Sequence, residues 1–314
     1  MSKLKIALVV VDRENVPEWV FPEMEKLNVA FVAKNCERMD DFLHCASDAF
    51  LIWTMGVCKF ITPEILPKLS CKYIMRSGSG LDTLPVKEAA QMGITVTNTP
   101  ESIANSVAEH AVSLLLALSR QIVNYDRRVR AGEWGLTKAW DSWHMNGQTL
   151  GLIGFGFIAR KVAKFLSGFD LEVLCFDPYQ DKEFLKKNNV IPVELDHILA
   201  ESDFISVHCP LNDSTFHLFG EAEFKKMKKS ALIVNTSRGA VIDENALFDA
   251  LKNKWISGAA IDVTELEPVA KDNPLLGLDN VIITPHVAAW DDVFDENYWR
   301  GSVVKIKEIL KERM

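Results

Sequence analysis

At 314 residues the chain lies near the upper limit for a single core and is more naturally read as two domains of ordinary size, an arrangement that implies a cleft. Hydrophobic residues make up 48% and charged residues 25%, a composition that excludes a disordered or fibrous protein. With 35 Lys and Arg against 43 Asp and Glu, the net charge of −8 disfavours phosphate backbones and anionic lipid, so neither nucleic acid nor a membrane is expected as partner.

From the first residues, short apolar runs alternate with longer polar and amphipathic stretches. Residues 6–11, 29–33, 49–53, 73–76 and 94–98 each read as a buried strand, the βαβ rhythm of a parallel sheet. The pieces between them, such as 62–69 and 85–92, read as short crossover helices. Ser106-Val107-Ala108-Glu109 then has the spacing of a capping box and opens one long helix through Val112, Leu115, Leu116, Leu118 and Ile122 to Arg127–Arg130 and Gly132. That helix is apolar around much of its girth, which asks for cover on several sides and suggests a domain link and a homodimer seam. Six more strands follow, at 150–154, 171–176, 204–208, 232–236, 258–262 and 281–284, enough for a complete doubly wound dinucleotide-binding sheet. A charged amphipathic helix at 295–314 is expected to return to the first domain. The expected division is residues 1–103 with 287–314 for the substrate, and 104–286 for the nucleotide.

The six cysteines are scattered among apolar runs without a CxxC pair, so they read as buried thiols; no metal site and no disulfide framework is expected. The start of the chain lacks the flanks of a signal peptide and no apolar stretch is long enough to span a bilayer, so a cytoplasmic protein is expected.

The segment Gly151-Leu152-Ile153-Gly154-Phe155-Gly156-Phe157-Ile158-Ala159 places G-x-G-x-x-A at a strand-to-helix junction. Gly154 would make the tight turn, Gly156 would admit a pyrophosphate, and the helix N-terminus would favour its charge. Asp177 closes the next strand, 21 residues beyond Gly156, where a carboxylate accepts the ribose hydroxyls of NAD and repels the extra phosphate of NADP. No Arg or Lys follows among Pro178, Tyr179 and Gln180, so NAD is the expected cofactor.

Three later strands end in Asn235-Thr236-Ser237-Arg238-Gly239, Ala260-Ile261-Asp262 and Thr284-Pro285-His286. Taken singly, Arg238 reads as a surface ion pair, Asp262 as a cap, Glu267 as a solvated charge and His286 as a core histidine. Together they sit at the carboxyl ends of strands, where an open α/β sheet binds its ligand. With Gly78-Ser79-Gly80-Leu81-Asp82, the 93–100 stretch, Ser106–Glu109, the glycine loop, His208-Cys209-Pro210-Leu211, 235–243, 258–263 and Glu267-Pro268, the sequence resembles the D-isomer-specific 2-hydroxyacid dehydrogenase family. That family includes phosphoglycerate dehydrogenases, hydroxypyruvate and glyoxylate reductases, and the C-terminal-binding corepressors.

The resemblance implies an α/β fold of two doubly wound parallel-sheet domains, a Rossmann NAD-binding domain and a discontinuous flavodoxin-like substrate domain. It implies that Arg238 holds a 2-oxo acid, that His286 is the acid/base and that Glu267 is its partner. It also implies that Asp262 meets the nicotinamide carboxamide, and that Phe157, Ile158, His208, Pro210, Thr215, Thr236 and Ser237 line the cofactor beside Arg238 and His286. Chemistry agrees: a guanidinium fork matches a carboxylate, and a cationic histidine suits a developing alkoxide. The amides of Ser77, Gly78 and Ser79 are further candidate donors to the substrate carboxylate. Ile52-Trp53-Thr54-Met55-Gly56 is uncharged where relatives that take phosphorylated substrates often carry a basic residue, which disfavours such substrates unless Arg76 serves instead. Trp53, Met55, Trp140 and Trp143 could line the pocket, although such aromatics are more commonly core. A second reading is an NAD(H)-sensing interaction protein of the corepressor type.

Overall fold

The computed structural model describes residues 3–134 and 142–312. Along the chain run β1 (Lys5–Leu8), α1 (Val20–Lys26), β2 (Ala30–Ala33), α2 (Met39–Ala46), β3 (Leu51–Met55), β4 (Tyr73–Ser77), α3 (Val86–Gln91) and β5 (Thr95–Asn98). Next come α4 (Ala104–Ser119), α5 (Ile122–Arg130), β6 (Thr149–Ile153), α6 (Phe157–Phe165), β7 (Glu172–Phe176), α7 (Lys182–Lys187), β8 (Ile191–Pro192), α8 (Leu195–Glu201) and β9 (Phe204–Val207). The series closes with α9 (Glu221–Lys226), β10 (Leu232–Asn235), α10 (Glu244–Lys252), β11 (Gly258–Ile261), β12 (Val281–Ile283) and α11 (Phe294–Lys311). Two compact units result: Met1–Ile103 with Asp291–Met314, and Ala104–Trp290. The second crossing falls a few residues beyond position 287 because Asp262 accepts the Val287 and Ala288 N–H groups and holds them to the second unit.

In the first unit five parallel strands run in the order β2-β1-β3-β4-β5, the flavodoxin-like winding. Its central strands are covered on both faces, which is why they read as unbroken apolar runs. Successive residues point to opposite sides: Ala7, Ile52 and Ile74 join one core layer, while Ile6, Leu8, Leu51, Trp53 and Met75 join the other. The second layer is completed by Trp299, Val303, Ile306 and Ile309 of α11, with the Trp53 and Trp299 rings 5.3 Å apart edge to face.

The second unit carries seven parallel strands ordered β8-β7-β6-β9-β10-β11-β12, so the winding reverses between β6 and β9. Such a switch point is where this architecture binds its ligand. Six strands were expected; the additional β8 is two residues long, contains Pro192 and sits at an edge, where proline is tolerated and no periodic signal can develop.

Two helical expectations need correction. The long helix starts at Ala104, so Ser106 lies inside it, 8% exposed, and caps nothing. It also ends at Ser119: Gln121 has φ 54, in the left-handed region, and α5 starts afresh. The apolar girth of α4 is covered within its own unit, where Ala108, Ala111, Leu114, Leu115 and Leu118 pack with Leu150, Leu232 and Ala260. The expected helix at 62–69 shrinks to a single turn, Leu66–Lys68, because Pro63 and Pro67 withhold the amides a helix needs. Among the described residues no helix is long and apolar enough to cross a membrane, and all six cysteines are buried and free.

Candidate active site

At the end of β6, Gly154 adopts φ 88 and turns the chain into α6, leaving the first-turn amides of Phe157 and Ile158 without helical acceptors. Asp177, one residue past β7, fastens this loop: its Oδ2 accepts the Phe155 N–H at 2.8 Å and its Oδ1 the Tyr179 N–H at 2.9 Å. Each oxygen retains a second acceptor direction. At the end of β9, His208 bonds Ser206 Oγ through Nε2 at 2.8 Å, and burial pushes its pKa down to about 3, so the ring is neutral. Thr215 staples the loop that follows, donating to the Pro210 carbonyl at 2.6 Å and accepting the Asn212 N–H at 2.9 Å.

Buried Asn235 shapes the end of β10. Its Oδ1 accepts from Ser237 N–H and Oγ–H, and its Nδ2 donates to the Arg238 carbonyl, which forces a tight bend and presents the Arg238 side chain from it. Arg238 also donates to the Ser237 carbonyl at 2.7 Å. Immediately after it, Gly239 lies so close to the 264–265 backbone that a side chain there would meet the Thr264 carbonyl carbon at 2.0 Å.

Past β11 and β12 lies the most connected part of the site. Asp262 has no exposed side-chain surface. Its Oδ1 accepts Thr284 Oγ–H at 2.5 Å and Val287 N–H at 3.0 Å, and its Oδ2 accepts Ala288 N–H at 2.8 Å. Because the Thr284 hydroxyl donates to Asp262, its oxygen accepts from His110 Nε2 at 3.0 Å. Burial is the largest influence on the Asp262 carboxyl and opposes ionisation, but the donors from His110, Thr284 and the two amides outweigh it and lower its pKa. His286 is held at φ 54 by N–H bonds to the Asp262 and Thr284 carbonyls. Its Nδ1 meets Glu267 Oε2 at 2.7 Å, with both side chains roughly half exposed. A half-exposed histidine whose Nδ1 is held by a carboxylate is the arrangement of an acid/base histidine with an orienting partner.

The model of the D-isomer specific 2-hydroxyacid dehydrogenase NAD-binding domain matches residues 112–288. The chain belongs to the D-isomer-specific 2-hydroxyacid dehydrogenase family. It is 42% identical over 234 residues to a glyoxylate reductase of Korarchaeum cryptofilum, covering 72% of this chain and 68% of that protein. It is 37% identical over 291 residues to a hydroxypyruvate reductase of Thermotoga maritima, covering 92% of each. A solved D-lactate dehydrogenase of Aquifex aeolicus, complexed with NAD and lactic acid, superposes with a TM-score of 0.81 at 29% identity, covering 98% of this chain and 96% of that one. Like its family, this dehydrogenase is an NAD-dependent oxidoreductase.

The dehydrogenase's own residues fit that cofactor. Besides the glycine turn and the open amides of α6, the buried Thr236 Oγ lacks a hydrogen-bond partner among the described residues. An orphaned hydroxyl at a strand's carboxyl end is what a bound ligand would satisfy.

Several expected roles change. Asp262, expected to meet the nicotinamide, is buried and braces the His286 loop through Thr284, Val287 and Ala288, while its Oδ2, with one donor, keeps a second acceptor direction. Ser77 is 1% exposed, with its hydroxyl accepting Trp53 Nε1–H at 2.8 Å and paired with Ser302, so that hydroxyl anchors the turn. The Gly78 N–H is already given to Thr99 Oγ at 2.9 Å, which leaves Ser79 as the donor to consider. Trp53 is wholly buried, and Trp143 packs partly buried against the second unit's core; Trp140 lies outside the described residues. Arg76 donates to Thr83 Oγ at 2.6 Å. His110, Asn235 and Gly239 were not singled out individually, although His110 directly follows Ser106–Glu109 and the other two flank Arg238 in the strand-end motif.

Proposed function

We propose that the enzyme reduces a small 2-oxo acid of the glyoxylate or hydroxypyruvate class to its 2-hydroxy acid, of D configuration where the product is chiral. The observation that carries this is the 2.7 Å pair of His286 Nδ1 and Glu267 Oε2 on half-exposed side chains. Bound NADH supplies the hydride. The Arg238 guanidinium holds the substrate carboxylate and carbonyl through its planar fork. As negative charge grows on the carbonyl oxygen, the protonated His286 donates from Nε2, while Glu267 keeps the ring oriented and stabilises its positive charge. In the oxidative direction neutral His286 takes the proton back. The first unit is the substrate domain, with the Ser79 amide as a further carboxylate donor, and the second carries the nucleotide. Asp177 selects NAD over NADP. The names of the glyoxylate and hydroxypyruvate reductases above, the second matched over 92% of each chain, support this substrate class.

The enzyme is further assigned as a cytoplasmic homodimer. Six unpaired thiols suit a reducing compartment. The exposed Ile122, Val123 and Val129 of α5, rather than the covered α4, supply the apolar seam.

Loss of NADH absorbance with glyoxylate, hydroxypyruvate, pyruvate and bulkier 2-oxo acids, followed by chiral analysis of every product except the achiral one from glyoxylate, tests the assignment. Turnover to the D-product is expected, and it should fall at least about 10²-fold in His286→Ala, the contribution of a general acid. NADH binding without turnover of any acid, or an L-product, overturns it.

A further inference from the structure

The turn after β4 is gripped by α11 in a closed ring of hydrogen bonds. Trp53 Nε1–H donates to Ser77 Oγ at 2.8 Å. Ser302 Oγ–H donates to the Tyr298 carbonyl at 2.7 Å, so in the 2.6 Å contact between the two serine hydroxyls Ser77 must be the donor. Tyr298 Oη–H closes the ring on the Ser77 carbonyl at 2.8 Å. The same phenol ring fills the space beside Gly78, lying 3.2 Å from where a Cβ would stand, and is backed by Phe294 at a centroid distance of 4.8 Å. Burial raises the Tyr298 pKa, so the hydroxyl stays a neutral donor. Every donor in the ring is used once, and all of it converges on the peptide that leads into Gly78 and Ser79.

We propose that Tyr298 is a positioning residue for the substrate, fixing the Ser77-Gly78-Ser79 turn and thereby setting KM for the 2-oxo acid without acting on the cofactor. This rests on the assignment of that turn to the substrate carboxylate.

Tyr298→Phe keeps the ring and removes only the hydroxyl. KM for glyoxylate and hydroxypyruvate should rise about five-fold, the effect of one lost neutral hydrogen bond, at unchanged kcat and NADH affinity. Ser302→Ala, which opens the ring at its other side, should act in the same direction. A role in packing alone would lower thermal stability and leave KM where it was. An unchanged KM in folded Tyr298→Phe, or a fall in kcat alone, overturns the proposal. Should the wild type reduce no 2-oxo acid, it is the enzymatic assignment that fails; calorimetric binding of oxamate to the NADH complex then makes the comparison, and equal affinity in both proteins overturns the role of Tyr298.

Discussion

Gly239→Ala is the most severe single-methyl change the active site offers. The added carbon would stand 2.0 Å from the Thr264 carbonyl carbon, 2.1 Å from its oxygen and 2.4 Å from the Glu265 nitrogen. All three are backbone atoms, so no rotamer change relieves the clash. Restoring ordinary contact moves the loop by about 1.4 Å. That loop is doubly fastened: Glu244 N–H donates to Glu265 Oε1 at 3.0 Å and Glu265 N–H returns a bond to Glu244. It also carries Glu267, which accepts the Thr264 N–H at 3.3 Å and holds His286 at 2.7 Å. Overpacking of this kind costs about 1–3 kcal/mol, a fall in Tm of a few to about ten degrees for a unit of this size. Misplacing an acid/base pair by an ångström costs about 10²-fold in kcat. Steady-state reduction kinetics and calorimetric melting read the two effects, and NADH affinity should hold because the glycine loop follows a different strand. An Ala variant with the kcat and Tm of the wild type would refute the coupling of Gly239 to the Glu267 loop.

Asp177→Ala should erode the preference for NADH over NADPH, measured as the ratio of their kcat/KM values, and an unchanged ratio removes Asp177 from cofactor selection. Arg238→Lys should lower kcat/KM for the 2-oxo acid by about ten- to a hundred-fold through loss of the charge-assisted fork; an equal loss in NADH affinity would reassign it to the cofactor. For His208 the folded pKa, about 3, lies below the ordinary 6.5. The unfolded chain therefore takes up the proton first, and its contribution to stability is whole above pH 6.5 and falls by at most about 1.4 kcal/mol per pH unit toward the folded value. His208→Gln should flatten that limb in denaturant titrations across pH, and coincident slopes would show that the ring titrates normally. Light scattering should give a dimer for the wild type and a smaller species for Val123→Glu; a monomeric wild type defeats the α5 seam.

Strands were legible because parallel sheets bury both faces, so β1, β3, β9 and β10 stand out as apolar runs. Their ends were less so. Most strands of the second unit stop one residue short of the expected limit, and the residues shed are Gly154, His208, Thr236, Asp262 and Thr284. The chain leaves the sheet where it turns polar side chains toward the site, a change that hydropathy blurs. Ser106 and Glu109 misled because the three-residue spacing of a capping box recurs anywhere along a helix; cap geometry, not spacing, distinguishes them. Arg238, Glu267 and His286 were visible as a motif set. The support beneath them was not, since pairings such as His110 with Thr284 or Tyr298 with Ser77 join residues 174 and 221 positions apart.

The chain leaves the first unit after Ile103 and completes the layer begun by Val20 and Met24 of α1 only with α11, whose Trp299, Val303, Ile306 and Ile309 pack on the Trp53 face of the sheet. Order of synthesis follows from this. All strands of the second unit are made before the first can finish burying that face, so the nucleotide-binding unit is complete first and the earlier-made sheet waits with one apolar side only partly covered. A nascent chain halted before α11 would expose Ile6, Leu8, Leu51 and Met75 to chaperones and would lack the clamp on Ser77. Under the role proposed for Tyr298, quality control on the ribosome and readiness to receive substrate depend on the same eighteen-residue helix.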